Sequence, residues 1–199
     1  MALIARTGRH RQRYENHMRL VAGCIPYRLK PTVDNHACVP MDRLEVLMIS
    51  SPNRHDLVFP KGGWENDETV YEAACREALE EAGVRGILHK IELGVWEFRS
   101  KSSEKSRSLE GFCRGHMFAL EVTEELDCWP EQASHKRRWV NVMEAEQLCR
   151  YPWMREALKA CIRRLSPGLA MPPTERSEPA MPYLFKPTER VDSAIDACC

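Results

Sequence analysis

The sequence has no apolar run long enough to cross a membrane as a helix. Its nine cysteines include no CxxC pair, and no apolar signal segment precedes them. An odd, scattered set of this kind argues against a disulfide framework and for reduced thiols in an intracellular protein. The missing paired spacing also argues against a zinc site. A net charge of zero removes a further class of explanation. No global field announces a partner, so any charge logic has to be local. A prenylation box would need cysteine four residues from the end, where Asp196 stands. No internal repeat is present.

What is there is a globular composition, 43% hydrophobic over 199 residues, enough for one domain with extensions. Residues 1–17 hold Arg6, Arg9, Arg11 and Arg13, with no acid before Glu15. That composition suits a targeting segment or a basic arm folded onto the domain. Residues 18–165 are expected to form the domain itself. Residues 166–199 hold six prolines and no helical period, the pattern of a disordered tail. Reduced thiols make the cytoplasm or nucleus the expected location. The mitochondrion is the alternative that the N-terminal arginines raise.

Residues 19–27 and 44–50 read as apolar, branched-residue strands. "LVFP" is a short strand stopped by Pro60, and "KGGWENDE" is a glycine loop leading into a helix over about 68–82. Thr69 and Glu72 fit a capping box, and Gly83 stands where a left-handed stop is wanted. Residues 89–100 and 115–126 suggest a hairpin with a long polar tip. A strand at "RRWVNV", a short helix over 143–149 and an amphipathic helix over 154–165 follow. The order predicts an α+β fold, a mixed sheet with helices packed against it.

The helix carries "REALEEAG". At about 100° per residue, Glu77, Glu80 and Glu81 share an arc of roughly 100°. Such faces are commonly only solvated. Three oxygen ligands on one face would equally suit a hard divalent cation such as Mg²⁺, which commonly bridges to substrate phosphates. The surroundings favour the cation. Gly62, Glu68, Arg76, Glu77, Glu80, Glu81 and Gly83 fit G-x5-E-x7-R-E-U-x-E-E-x-G-U without a departure, U being aliphatic. Seven fixed identities coincide by chance on the order of 10⁻⁸ times per window. This is the Nudix box, and the chain resembles the Nudix hydrolases. "RTGR-x-x-QRY", "LVAGCIPYR", "FPKGGWENDET" and "ALEVTEEL-x-x-WPE" extend the likeness to the plant Nudix group related to diphosphoinositol polyphosphate phosphohydrolases.

The resemblance implies an α/β/α sandwich with a catalytic loop-helix-loop and a C-terminal helix. It implies hydrolysis of a small anionic diphosphate substrate with Mg²⁺, or Mn²⁺ in its place. Glu77, Glu80 and Glu81 match the family's metal ligands, joined by the Gly62 carbonyl. Glu68 matches a supporting carboxylate and Arg76 an orienting arginine, which completes the expected catalytic set. The group's reported substrates are diphosphoinositol polyphosphates and long dinucleoside polyphosphates. Nucleic acid is expected only as a capped RNA end, and a module that merely binds a phosphorylated ligand is the non-enzyme alternative. Expected substrate contacts are Arg19, Arg54, Lys61, Gly62 and Gly63, with Lys136, Arg137 and Arg138, whose "HKRRWV" resembles a segment that meets inositol phosphates. His55, Lys101, Lys105 and Arg107 are further candidates.

Overall fold

The computed structural model describes residues 4–31, 43–50, 56–100 and 111–166. All belong to the unit Met1–Leu169, and the second unit, Ala170–Cys199, lies outside them. The expected tail therefore falls outside the described residues, except Ser166. Arg54, His55, Lys101, Lys105 and Arg107 fall outside them too.

The described residues form one eight-stranded sheet. The first strand, β1 (Tyr14–Glu15), turns through Asn16 and His17, both at positive φ, into β2 (Met18–Leu29). That is the two-residue hairpin turn whose twist suits the flanking strands. The long β2 is buried from Leu20 to Tyr27, as its unbroken apolar run demands. It pairs antiparallel with β3 (Leu44–Ser50) and with β5 (Lys61–Gly63), and parallel with β7 (Phe112–Glu125). Strand β4 (Leu57–Val58) and strand β8 (Arg137–Asn141) each pair with β3, and β6 (Val84–Arg99) pairs with β7. One parallel pair among antiparallel ones makes the sheet mixed. Two features depart from the sequence reading. "KGG" is a strand rather than part of a loop, and the β6–β7 ladder starts well before residue 89.

Among the described residues, three helices complete an α+β sandwich: α1 (Val70–Ala82), α2 (Val142–Leu148) and α3 (Pro152–Leu165). Helix α1 packs on β2 and β5, and α3 on β6. The expected stripe on α3 holds, with Ala157, Leu158 and Cys161 buried and Ile162 and Leu165 partly so. Both ends of α1 are set locally. The Thr69 side chain accepts from the Glu72 N–H while the Glu72 carboxylate accepts from the Thr69 N–H, the reciprocal capping box. Gly83 closes the helix at φ 63°, and its N–H donates to the Leu79 carbonyl at 3.1 Å.

A long-range tie secures the same end. Arg137 Nη1 donates to the carbonyls of Gly83 at 3.1 Å and Leu126 at 2.8 Å. Its guanidinium lies 4.5 Å from the centre of the Trp129 ring. A cation at a helix C-terminus meets both the unpaired carbonyls and the macrodipole. A Cβ on Gly83 would stand 2.7 Å from Trp129 and would force a side chain into the left-handed region. Gly83→Ala should therefore cost about 2 kcal/mol, lowering the melting temperature by roughly 5 °C. Arg137→Ala should lower it by a similar amount while leaving substrate KM within about twofold, because it holds helix carbonyls. Thermal unfolding and steady-state kinetics on both variants check this. A large rise in KM for Arg137→Ala with an unchanged melting temperature would reverse the assignment.

Candidate active site

Strand β5 and helix α1 face each other closely enough to need glycine. A Cβ on Gly62 would collide with the Glu77 carboxylate, so only a bare backbone lets strand and side chain approach. Glu77 and Glu80 are 7% and 5% exposed, far from the solvated acidic face that the pattern alone allows. One guanidinium makes their burial tolerable. Arg76 donates to both oxygens of Glu68, at 3.0 and 2.7 Å, in a two-point pair. Its Nη1 reaches Glu77 Oε1 at 2.6 Å and Glu80 Oε2 at 3.2 Å, and its Nη2 reaches the Gly63 carbonyl at 2.9 Å. Glu80 Oε1 accepts instead from the backbone N–H of Arg6, at 3.2 Å. Glu81 Oε2 accepts from the N–H of Lys61, at 2.8 Å.

The electrostatics record the crowding. Burial, then the charge of Glu81, lifts Glu77 to a pKa of about 8 against the pull of Arg76. Burial raises Glu80 as well, opposed by the Arg6 N–H and Arg76. Burial raises Glu81, opposed by the charge and N–H of Lys61. Burial works against the charge of Arg76, but Glu68 and Glu77 more than offset it, and its pKa stands above the ordinary value.

A second acidic element meets α1 at its C-terminal end. Trp129 Nε1 donates to the Glu81 carbonyl at 3.2 Å, and the Glu131 N–H donates to the Glu80 carbonyl at 3.0 Å. These bonds satisfy last-turn carbonyls and bring Glu131 and His135 beside Glu81. Ligand atoms of Glu81, Glu131 and His135 lie within 4.8 Å of one another, the one such group among the described residues. His135 Nδ1 donates to the Ser50 carbonyl at 2.9 Å, because a carbonyl can only accept, and Nε2 faces Glu131 at 3.2 Å. Glu77 and Glu80 do not join this group, being held by Arg76. The donor set along α1 is nevertheless all oxygen, buried at Glu77 and Glu80, half-buried at Glu81, and biased toward protonation. That is the condition a hard divalent cation relieves, and the chemistry of the residues fits one.

Beside Glu81 lies a cavity of about 200 Å³. Arg19, Lys61, Arg99 and Arg150 line it, with His135 and the rings of Phe98 and Tyr151. Burial lowers the pKa of Lys61, and the charges of Arg150 and Arg19 push it down further, against the pull of Glu81 and Glu77. The Arg150 side chain is 6% exposed, and its Nε lies 3.0 Å from Asp56 Oδ2.

The structure gathers some of the expected residues and separates others. Arg19 and Lys61 line the cavity; Gly62, Gly63, Glu68, Arg76, Glu77, Glu80 and Glu81 form the ladder beside it. Lys136, Arg137 and Arg138 do not line it. Arg137 is committed to the end of α1, Arg138 pairs with Glu144, and the Lys136 N–H donates to Ser50 Oγ. Arg99 and Arg150 had no motif to announce them. Glu131 and His135 each had a pointer, in the "WPE" and the "HKRRWV" that carry part of the family likeness. Trp64 is a packing residue: Arg13 lies 4.8 Å above its ring, and Nε1 donates to the Glu68 carbonyl.

Comparison with known proteins agrees with the geometry. The NUDIX domain family matches residues 32–161. Nudix hydrolase 12, mitochondrial, of Arabidopsis thaliana is 62% identical over 164 residues, 81% of either chain. Nudix hydrolase 13, mitochondrial, of the same plant is 64% identical over 165 residues, 81% of this chain and 82% of that one. Diphosphoinositol polyphosphate phosphohydrolase 3-alpha of Mus musculus is 36% identical over 68% of this chain and 81% of its own. Among solved structures, a C. elegans Ap4A hydrolase superposes with a TM-score of 0.54 at 18% identity, over 74% of this chain and 98% of that one, a likeness of fold. The plant names overturn the expectation of a cytoplasmic or nuclear protein, since relatives this similar are mitochondrial by name. With the box, the fold and the matches in agreement, the chain belongs to the Nudix hydrolases, enzymes that act on phosphoanhydrides in small phosphate-containing substrates with the help of divalent metal ions.

Proposed function

We propose that this protein is a Mg²⁺-dependent pyrophosphohydrolase, able to use Mn²⁺, that cleaves a phosphoanhydride in diphosphoinositol polyphosphates, and that it works in the mitochondrion. One observation carries the substrate reading: four cationic side chains line the cavity that shares Glu81 with the carboxylate ladder. Arg19 and Arg150 oppose the charge of half-buried Lys61, against the larger pull of Glu81 and Glu77, and an anion in the cavity would offset that opposition. A polyphosphate with several charges on a compact ring reverses that repulsion at every contact. The 36% identity to the mouse enzyme supports the same class.

The residues divide the work. Glu77, Glu80 and Glu81, with the Gly62 carbonyl, would hold the cation, and Glu131 and His135 stand beside Glu81 on the same side. When bound, a divalent cation neutralises phosphate oxygens and activates water for attack. Arg76 and Glu68 fix the carboxylates in place. Lys61 joins the halves, its N–H on Glu81 and the residue itself lining the cavity. Positioning and charge stabilisation dominate phosphoryl transfer, and this arrangement supplies both.

A second reading has an observation of its own. Phe98 lines the cavity and stacks on Trp153 with ring centres 4.7 Å apart, which offers a rigid aromatic face to a base. A dinucleoside polyphosphate such as diadenosine hexaphosphate, another nucleoside diphosphate derivative or a capped RNA end would use it.

Glu80→Gln and Glu81→Gln should each lower kcat by about 10²-fold or more with the fold retained, as expected for lost charge at a reacting centre. Unchanged hydrolysis in both would sink the metal assignment, and retained ligand binding without any wild-type turnover would favour a binding module. For the substrate, kcat/KM should be compared on diphosphoinositol pentakisphosphate, diadenosine hexaphosphate, ADP-ribose and NADH. The first is expected to lead, and Arg150→Ala should raise its KM about tenfold, more than that of ADP-ribose. Leadership by diadenosine hexaphosphate, lost in Phe98→Ala, would establish the second reading instead. For the location, a C-terminal fluorescent fusion should coincide with a mitochondrial dye, and exclusion from that compartment would count against it.

A further inference from the structure

We infer that residues 6–13 form a strap that positions the carboxylate ladder, with Arg6 as its clasp, and that Arg6 sets the affinity of the ladder for its cation. The inference rests on the metal reading above. The segment runs against the stretch between β5 and α1. The Arg13 N–H donates to the Trp64 carbonyl at 2.9 Å, the Asn66 N–H donates to the Arg11 carbonyl at 2.8 Å, and Gln12 bridges Glu65 between them. Three of its four arginines are committed to the same stretch. Arg6 Nη1 reaches Glu65 at 2.7 Å and Asp67 at 3.0 Å, and Arg11 reaches Asp67 at 2.9 Å. Arg13 donates to the carbonyls of Glu65 at 3.0 Å and Asn66 at 2.9 Å.

The strap also enters the ladder. The Arg6 N–H donates to Glu80 Oε1 while Arg76 holds Oε2, both at 3.2 Å. Glu80 is therefore fixed from its own helix by a charge and from the strap by a neutral group. A neutral N–H orients a carboxylate without cancelling its charge, and the oxygen keeps a lone pair for a cation. Hydrogen bonds to ligating groups commonly govern metal affinity by 10- to 100-fold, roughly. The Arg6 side chain anchors this N–H through Glu65, whose side chain is 9% exposed. The competing description is a set of surface ion pairs of little consequence, since the Arg6 side chain is itself 39% exposed. The two descriptions differ in what happens to metal binding. Import that reads this arginine-rich segment would, on the strap description, have to leave Arg6 in place.

Mn²⁺ binding to the full chain, followed by the electron paramagnetic resonance of the free ion without substrate, tests the strap. Deletion of residues 1–8 should raise the Mn²⁺ Kd about tenfold, and Arg6→Ala about threefold, with Arg6→Lys recovering part of the loss. Arg9→Ala, a change at an exposed side chain of the same segment, should leave the Kd unchanged. Glu81→Gln serves as the reference for lost metal binding. Weaker Mn²⁺ binding in Glu81→Gln with full affinity in both the deletion and Arg6→Ala would overturn the strap and spare the metal reading. Full affinity in Glu81→Gln as well would overturn the metal reading itself. Equal weakening by Arg9→Ala would reduce the effect to general charge and overturn the strap. Should the deletion fail to fold, Arg6→Ala decides. A lower melting temperature with an unchanged Kd makes Arg6 merely structural and overturns the proposal.

Discussion

A single guanidinium holds the acidic face of α1 together. Like charges one helical turn apart weaken an exposed helix by only a few tenths of a kcal/mol, roughly. Glu77 and Glu80 are buried, where the same repulsion is less screened and desolvation adds to it. Arg76 answers three carboxylates and a backbone carbonyl at once. A lysine could not, because a point charge on a flexible stem lacks the planar fork that reaches partners in several directions. Even so, the compensation is incomplete, and Glu77 stands near a pKa of about 8. The site is arranged around more negative charge than its own residues neutralise.

The opposite imbalance lies next to it. Lys61, Arg19, Arg99 and Arg150 line one cavity, with Glu81 the acid among the lining residues. A three-residue strand joins the two halves. Successive residues of β5 point to opposite faces. Lys61 contributes to the cavity, Gly62 leaves room for Glu77, and the carbonyl of Gly63 accepts from Arg76. Pairing with β2 at Val21 to Gly23 fixes all three positions in the most buried part of the sheet. A cation-deficient ladder and an anion-deficient cavity, held at a fixed spacing, suit a metal–diphosphate complex better than either component alone.

What the sequence made legible was mainly local chemistry. The Thr69–Glu72 box and the Gly83 stop are set by residues within one turn of the helix ends, and both appear as read. The carboxylate face followed from the helical period. Strand β5 was not legible, because two glycines carry no strand propensity and only pairing with β2 makes "KGG" a strand. Arg99, Arg150 and the turn that carries Glu131 and His135 are separate in sequence and meet near Glu81 only through the fold. The basic run at Lys136 to Arg138 lies off the lining of this cavity, and one reason is present in the sequence. Consecutive strand residues cannot all face one ligand, and Arg137 on β8 turns to the end of α1.

The N-terminal arginines show where composition stops discriminating. A targeting segment and a docking strap both call for arginine without acid, and for the same electrostatic reason: each has to meet a negatively charged surface. In this protein the surface lies within the chain. Glu65, Asp67 and Glu68 precede α1, and the segment that carries no acid of its own before Glu15 can lie against them without repulsion. Reversing one charge in the segment would set it against the loop it now fastens. The pairing from Gln12 to Glu65 continues into β1 and the β1–β2 turn, so the strap is the leading edge of the same sheet that positions Gly62. The hydrogen bond from the Arg6 backbone to Glu80 ties that leading edge to the carboxylate face of α1.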